Sequence, residues 1–196
     1  MPLREAKKAA VRQALVSAAN RRFHSQGFEQ TTIDEICADA GVSRRTFFRY
    51  FENKEALAFP HRSERLERFL ALLDGVGRSP NPVDGLRAIC ATFAHEYSAN
   101  RVSILAQQRL VDSVPALAAR EHEIDRDWET AMAATFHRRF GRGAASERRA
   151  RLMAGAAIGV IRATMRYWYE KDGKPDLARL GQEALDGLEQ GFLSEH

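Results

Sequence analysis

Residues 32–54, TIDEICADAGVSRRTFFRYFENK, constrain the fold of this chain more than any other stretch. Thr32 followed three residues later by Glu35 has the spacing of a capping box, in which each side chain takes up a backbone N–H of the other residue. Ile33, Ile36 and Ala40 then recur at helical spacing, which predicts a short helix with an apolar inner face. Gly41 ends it and supplies the left-handed backbone that a tight turn needs. Ser43 reads as the cap of a third helix from Arg44 to about Phe51, and Asn53 as the cap of a fourth beginning at Lys54.

Two short helices joined at so brief a turn must cross closely. That requires a glycine in the turn and small or apolar residues around it. Ala40 and Val42 flank Gly41, Cys37 offers a small side chain beneath the crossing, and Phe47 can anchor the third helix in the core. The spacing therefore predicts a helix-turn-helix. Arg44, Arg45 and Thr46 fall at the end of the third helix that such modules insert into the major groove. Arginine can donate two hydrogen bonds to guanine O6 and N7, and a threonine methyl can touch thymine. Charge agrees: residues 1–57 hold ten Lys/Arg against seven Asp/Glu, a surplus of three within a chain net of +4. A polyanion partner would be drawn to that end.

The segment FEQTTIDEICADAGVSRRTFFRYFENKEAL, residues 28–57, resembles the N-terminal signature of the TetR family of transcriptional regulators. The resemblance implies an all-α fold: a three-helix DNA-binding domain over residues 1–57, then a helical effector-binding and dimerisation domain over 58–196. It also implies phosphate contacts from Thr32, Ser43, Tyr50 and Lys54, with Arg44, Arg45 and Thr46 approaching bases. Physical sense supports the phosphate set, since Thr32 opens a helix and a tyrosine hydroxyl can donate to a phosphate oxygen. Phe48 departs from the pattern. It stands where many family members carry tyrosine, so one phosphate hydrogen bond is missing, and Arg49 or Tyr50 is expected to compensate.

The rest of the chain is also helical by periodicity. A first helix is expected from about Arg4 to Ser25, ended by Gly27, with Val11, Leu15, Ala18, Arg22 and Phe23 on one side. Later helices are expected at about 83–99, 101–112, 115–140, 146–171 and 176–193. Proline is expected at starts, as Pro115 and Pro175, and glycine at stops, as Gly141, Gly143 and Gly173. Pro60 would bend or end the fourth helix, and Gly75 to Pro82 reads as a loop without the pattern of a phosphate-binding loop.

Leu152, Gly155, Ala156, Gly159 and Ala163 form a stripe of mostly small residues on one long helix. Leu177, Leu180, Ala184, Leu188 and Phe192 repeat on the last. Two such helices from each subunit would make the four-helix bundle by which TetR relatives dimerise. Packing within one chain is the alternative. A two-fold operator favours the homodimer, because one recognition helix reads few bases.

Aromatic and polar-tipped residues crowd the middle helices. Phe93, Tyr97, Trp128, Met132, Phe136, Met165 and Trp168 are expected to line a small-molecule pocket, although plain cores are built the same way. The run from Arg109 to Ala118 and the run from Glu123 to Trp128 resemble, more loosely, the acyl-CoA-like ligand binders among actinobacterial TetR regulators, including the mycofactocin-system regulator. That resemblance implies an apolar tunnel for a fatty acyl chain, with Arg109, Arg162 or Arg166 meeting an anionic head group. A DNA-binding protein without an effector is the competing reading, and a cavity within residues 83–171 would separate the two.

Catalysis is not expected. None of the six histidines sits in an H-E-x-x-H or a cysteine–histidine metal spacing, and no G-x-S-x-G occurs. His122 lies between Glu121 and Glu123, but adjacent residues on a helix point apart. No cofactor or metal is called for, and Cys37 and Cys90 read as buried thiols. The longest apolar run, Leu152 to Ile161, falls short of the roughly 20 residues of a membrane span, so a soluble cytoplasmic protein is expected.

Overall fold

The computed structural model describes residues 3–75 and 81–190. Among them the secondary structure is helical: α1 Leu3–Gln26, α2 Ile33–Ala40, α3 Arg44–Phe48, a 3-10 turn Glu55–Ala58, α4 Arg62–Gly75, α5 Pro82–Ala99, α6 Arg101–Ser113, α7 Pro115–Phe140, α8 Ala144–Glu170 and α9 Leu177–Gln190. The all-α expectation holds. Phe192, expected on the last helix, and most of the Gly75 to Pro82 loop lie outside the described residues.

Two compact units emerge. The first joins residues 1–61 to 109–121, and the second joins 62–108 to 122–196. The expected boundary after residue 57 is therefore not where the packing divides. Val111, Val114 and Leu117 are buried in one core with Leu15, Ala18, Ala19, Phe23, Ile36, Phe47 and Leu57. Helices α6 and α7 thus each contribute residues to both units.

In the first unit the local signals act as read. Thr32 caps α2, its hydroxyl accepting from the Glu35 N–H at 3.2 Å while its own N–H donates to Glu35 Oε2 at 2.8 Å. Gly41 takes φ +67 and ψ +34, and the Val42 N–H donates back to the Cys37 carbonyl at 3.0 Å. A residue with a Cβ would be strained there. Two expectations fail. Helix α3 ends at Phe48 rather than Phe51, because the Tyr50 and Phe51 amides both turn back onto the Phe47 carbonyl. No helix begins at Lys54: Asn53 Oδ1 accepts from the Ala56 N–H at 2.9 Å, and this caps only the 3-10 turn. Helix α4 starts beyond Pro60.

The second unit has two apolar clusters. One gathers Phe69 and Leu73 of α4, Leu86 and Ile89 of α5, Met132 and Phe136 of α7, Ala154, Ala157 and Ile158 of α8, and Leu185 of α9. The other gathers Ala94, Ile104, Leu105, Trp168 and Leu177. Polar groups tie α5 to α9 as well. Arg87 pairs with Asp186 at 2.6 Å and also with Glu189. No helix among the described residues is long and apolar enough to cross a membrane.

Candidate functional site

Helix α3 is built to present one face. Phe47 is fully buried and faces inward. Arg45 and Arg49 are exposed on the opposite side, and Phe48 is 50% exposed beside them. Arg45 has no ion-pair partner among the described residues. Arg49 lies over the Tyr50 ring, 5.1 Å from its centroid. The Phe48 ring also packs edge-on against Phe47, 5.2 Å between centroids.

The other expected DNA-contacting residues are partly engaged within the protein. Ser43 caps α3 by accepting from the Thr46 N–H at 3.2 Å, and the two hydroxyls lie 3.1 Å apart. Thr32 is exposed at the start of α2. Arg44 donates through one nitrogen to both carboxylate oxygens of Asp34, at 2.9 and 2.8 Å, and lies 5.9 Å from the Phe48 centroid.

Lys54 departs furthest from expectation. Its ammonium donates to the Phe28 carbonyl at 2.7 Å and the Thr31 carbonyl at 2.9 Å, and it sits 4.3 Å from the centre of the Phe28 ring. These partners satisfy the positive charge inside the turn between α1 and α2. The residue expected on a phosphate is a bracket for that turn. Thr31, buried beside it, donates its hydroxyl to the Gly27 carbonyl at 2.7 Å. Sequence reasoning missed the Lys54 role, because it joins residues more than twenty positions apart.

A network missed in the sequence holds α2 against α1. Arg22 grips both oxygens of Asp39, at 2.7 and 2.8 Å, and reaches Glu35 at 3.4 Å. The backbone N–H of Thr32, its hydroxyl and Gln26 hold the Glu35 carboxyl below its ordinary value. The hydrogen bond from Arg22 does the same for Asp39.

The expected pocket residues separate. Phe93, Trp128, Met132 and Phe136 belong to the first cluster of the second unit, with Met132 and Phe136 fully enclosed. Tyr97, Met165 and Trp168 belong to the other. Trp168 is a core residue: it is completely buried and its Nε1 donates to the Pro175 carbonyl at 3.0 Å. Tyr97 accepts from Arg65 at 3.2 Å. Arg109 falls in the first unit and is exposed, so it is not grouped with the aromatic residues. Arg162 faces Asp125 at 3.8 Å, and Arg166 is exposed.

Of the expected small-residue stripe on α8, Gly155 turns toward Glu129 of α7, whose Oε1 lies 3.2 Å from where its Cβ would be, and the rest faces away from the core. Ala150, Ala154, Ala157, Ile158 and Trp168 form the buried face. Leu152, Ala156, Gly159 and Ala163 lie on the other side, with Leu152 68% and Tyr167 46% exposed. A Cβ added at Gly159 would meet nothing within 4 Å. Helix α9 behaves differently. Leu177 and Leu180 pack into one cluster of the same unit, and Leu185 and Leu188 into the other.

A capped pair of short helices meeting at a left-handed glycine, with cations on the outer face of the second, defines a helix-turn-helix DNA-binding protein. Comparison with known proteins carries this further: the chain belongs to the TetR family of bacterial transcriptional regulators. Residues 15–59 match the family described as bacterial regulatory proteins, tetR family, and residues 80–193 match the MftR C-terminal domain. The HTH-type transcriptional regulator TcmR of Streptomyces glaucescens is 30% identical, over 98% of this chain and 89% of that protein. Among solved structures, a complex of SmeT with triclosan covers 90% of this chain and 88% of its own at 22% identity, with TM-score 0.62. FadR from Bacillus subtilis in complex with stearoyl-CoA covers 90% and 96% at 20% identity, with TM-score 0.57. At those identities the two structures share the fold.

Proposed function

We propose that this regulator is a homodimeric repressor that reads a two-fold operator through α3 and leaves it when a largely apolar small molecule binds the second unit. The outer face of α3 carries the reading: Arg45, Arg49 and Phe48 project from a helix whose inner side is locked by Phe47. Arg45 is the foremost base reader, because Arg44 already spends its charge on Asp34. Phe48 suits a thymine methyl, which accepts apolar contact. Thr32, Ser43, Thr46, Arg49 and Tyr50 surround that face and are assigned to phosphates and flanking positions. Lys54 is not assigned to DNA, because its ammonium is committed to carbonyls.

The dimer follows from the uncharged outer stripe of α8. An exposed apolar strip with a glycine open to space lets a second helix approach closely, and two recognition helices then read two half-sites about 34–36 Å apart. Effector control rests on the family and on the ligands bound in two fold neighbours, triclosan in SmeT and stearoyl-CoA in FadR. The acyl-CoA version draws its support from FadR. The arginines expected to meet its anionic head do not converge here.

Selection of bound DNA from a random pool gives the operator. Arg45→Ala, measured on single-base variants of it, should cost about 1–3 kcal/mol and relax preference at one position of each half-site. Uniform weakening over the whole panel would move Arg45 to a phosphate and refute the assignment.

A further inference from the structure

Each of the two tryptophans has one N–H, and the protein treats them differently. Trp168 Nε1 is bonded to the Pro175 carbonyl. Trp128 Nε1 is enclosed and meets no acceptor among the described residues. A buried donor without a partner is costly, so native chains keep few of them, and those few call for an explanation. Trp128 stands in a row of aromatic rings. Its ring lies tilted against Phe69 of α4 at 5.1 Å, and Phe69 lies against Phe93 of α5 at 6.1 Å.

One turn earlier on the same face of α7 stands Asp125, followed along that face by Trp128, Met132 and Phe136. The Asp125 carboxylate is largely shielded, and the cation that faces it, Arg162, stays 3.8 Å away, beyond hydrogen-bond range. Burial raises the Asp125 carboxyl above its ordinary value, and Arg162 and His122 only partly oppose this. Glu129 adds a second carboxylate nearby. Its Oε1 lies 3.2 Å from where a Cβ on Gly155 would be, so that glycine leaves room for it on α8. Near this row stand Asp125 and Glu129 on α7, Arg162 on α8, and Arg68 of α4, which lies over the Phe93 ring at 5.4 Å.

We propose that Asp125 and Trp128 form the polar end of the effector site, and that they take an uncharged, apolar molecule through a hydroxyl group. The hydroxyl oxygen accepts from Trp128 Nε1, and its proton is donated to the Asp125 carboxylate. One small group thus serves the Trp128 N–H and the Asp125 carboxylate together, while Phe69, Phe93 and Met132 supply the apolar wall. The assignment rests on the effector reading above and narrows it to a ligand class.

The test uses the full-length dimer with para-alkylphenols of rising chain length, their methyl ethers, and lauroyl-CoA. Binding is followed by the indole 15N–1H resonance of Trp128, identified by its loss in Trp128→Phe, and by release of operator DNA. The phenols should move that resonance and release DNA. The ethers, which lack the proton for Asp125, should need about tenfold more, the worth of one good hydrogen bond. Trp128→Phe keeps an aromatic ring, though a smaller one, and removes the N–H, and should weaken the phenols about tenfold. Asp125→Asn should narrow the phenol–ether gap. Both variants should retain operator affinity, which shows that they fold.

Equal response to phenols and ethers overturns the proposal. So does a still Trp128 resonance, or a silent phenol series. If lauroyl-CoA releases DNA equally from wild type and Trp128→Phe, effector control stands and this site falls. If no compound releases DNA from a protein that binds its operator normally, the evidence turns against effector control as well.

Discussion

Replacing Lys54 by methionine should destabilise the DNA-binding unit without changing how its DNA affinity depends on salt. Methionine keeps an apolar stem against the Phe28 ring and removes the ammonium. The Phe28 and Thr31 carbonyls, bonded at 2.7 and 2.9 Å, then lose a charged donor, and the ring loses its cation at 4.3 Å. Hydrogen bonds to charged groups contribute about 1.5–3 kcal/mol when buried, and a cation over an accessible ring about 0.5–1. Lys54 is only half-buried, so water replaces part of this, and about 2 kcal/mol remains. In a chain of this size that lowers the melting temperature by about 4–8 °C. Calorimetry measures it directly. Operator affinity should fall by a similar factor at every salt concentration, because the turn that sets α2 loosens while no phosphate contact is lost. A phosphate role predicts the reverse: an unchanged melting temperature and a log–log salt slope smaller by about 0.9 per contact. That result would refute the bracket.

Gly159→Leu should convert the dimer to a monomer with wild-type helical content. A Cβ at this position meets nothing within 4 Å among the described residues of its own protomer, while a leucine overpacks a helix approaching from a partner. A stable dimer in sedimentation with normal operator affinity would place the interface elsewhere. The unit should also lose stability in acid. Glu35 and Asp39 are held below their ordinary values when folded, so their contribution is complete above the unfolded carboxylate range of about 4 and disappears as pH falls through the lower folded values. Far-UV circular dichroism of the Glu35→Gln, Asp39→Asn double variant should show a flatter pH dependence below about 4. An acid transition as steep as that of the wild type would count against this.

The sequence by itself determined what local chemistry controls. A capping box closes over three residues, and a left-handed glycine needs no distant neighbour. Thr32, Glu35, Gly41 and Ser43 therefore announced α2, the turn and the start of α3, and most helix limits lay within a residue or two of the periodic pattern. The outward stripe of α8 was legible too, because periodicity separates two faces of a helix. It could not tell which face its own chain would cover.

Tertiary structure alone decided the rest, for the physical reason that a side chain's role depends on partners distant in sequence. Lys54 reads as a cation at a helix start until Phe28 and Thr31 fold over it. Asn53 reads as the cap of a long helix, yet the chain turns away after one 3-10 turn. Residues 109–121 look like part of the effector domain until Val111, Val114 and Leu117 are buried with Phe47 and Leu57. Trp128 and Trp168 look equivalent in the sequence. Only the packing satisfies one N–H with the Pro175 carbonyl and encloses the other without an acceptor among the described residues.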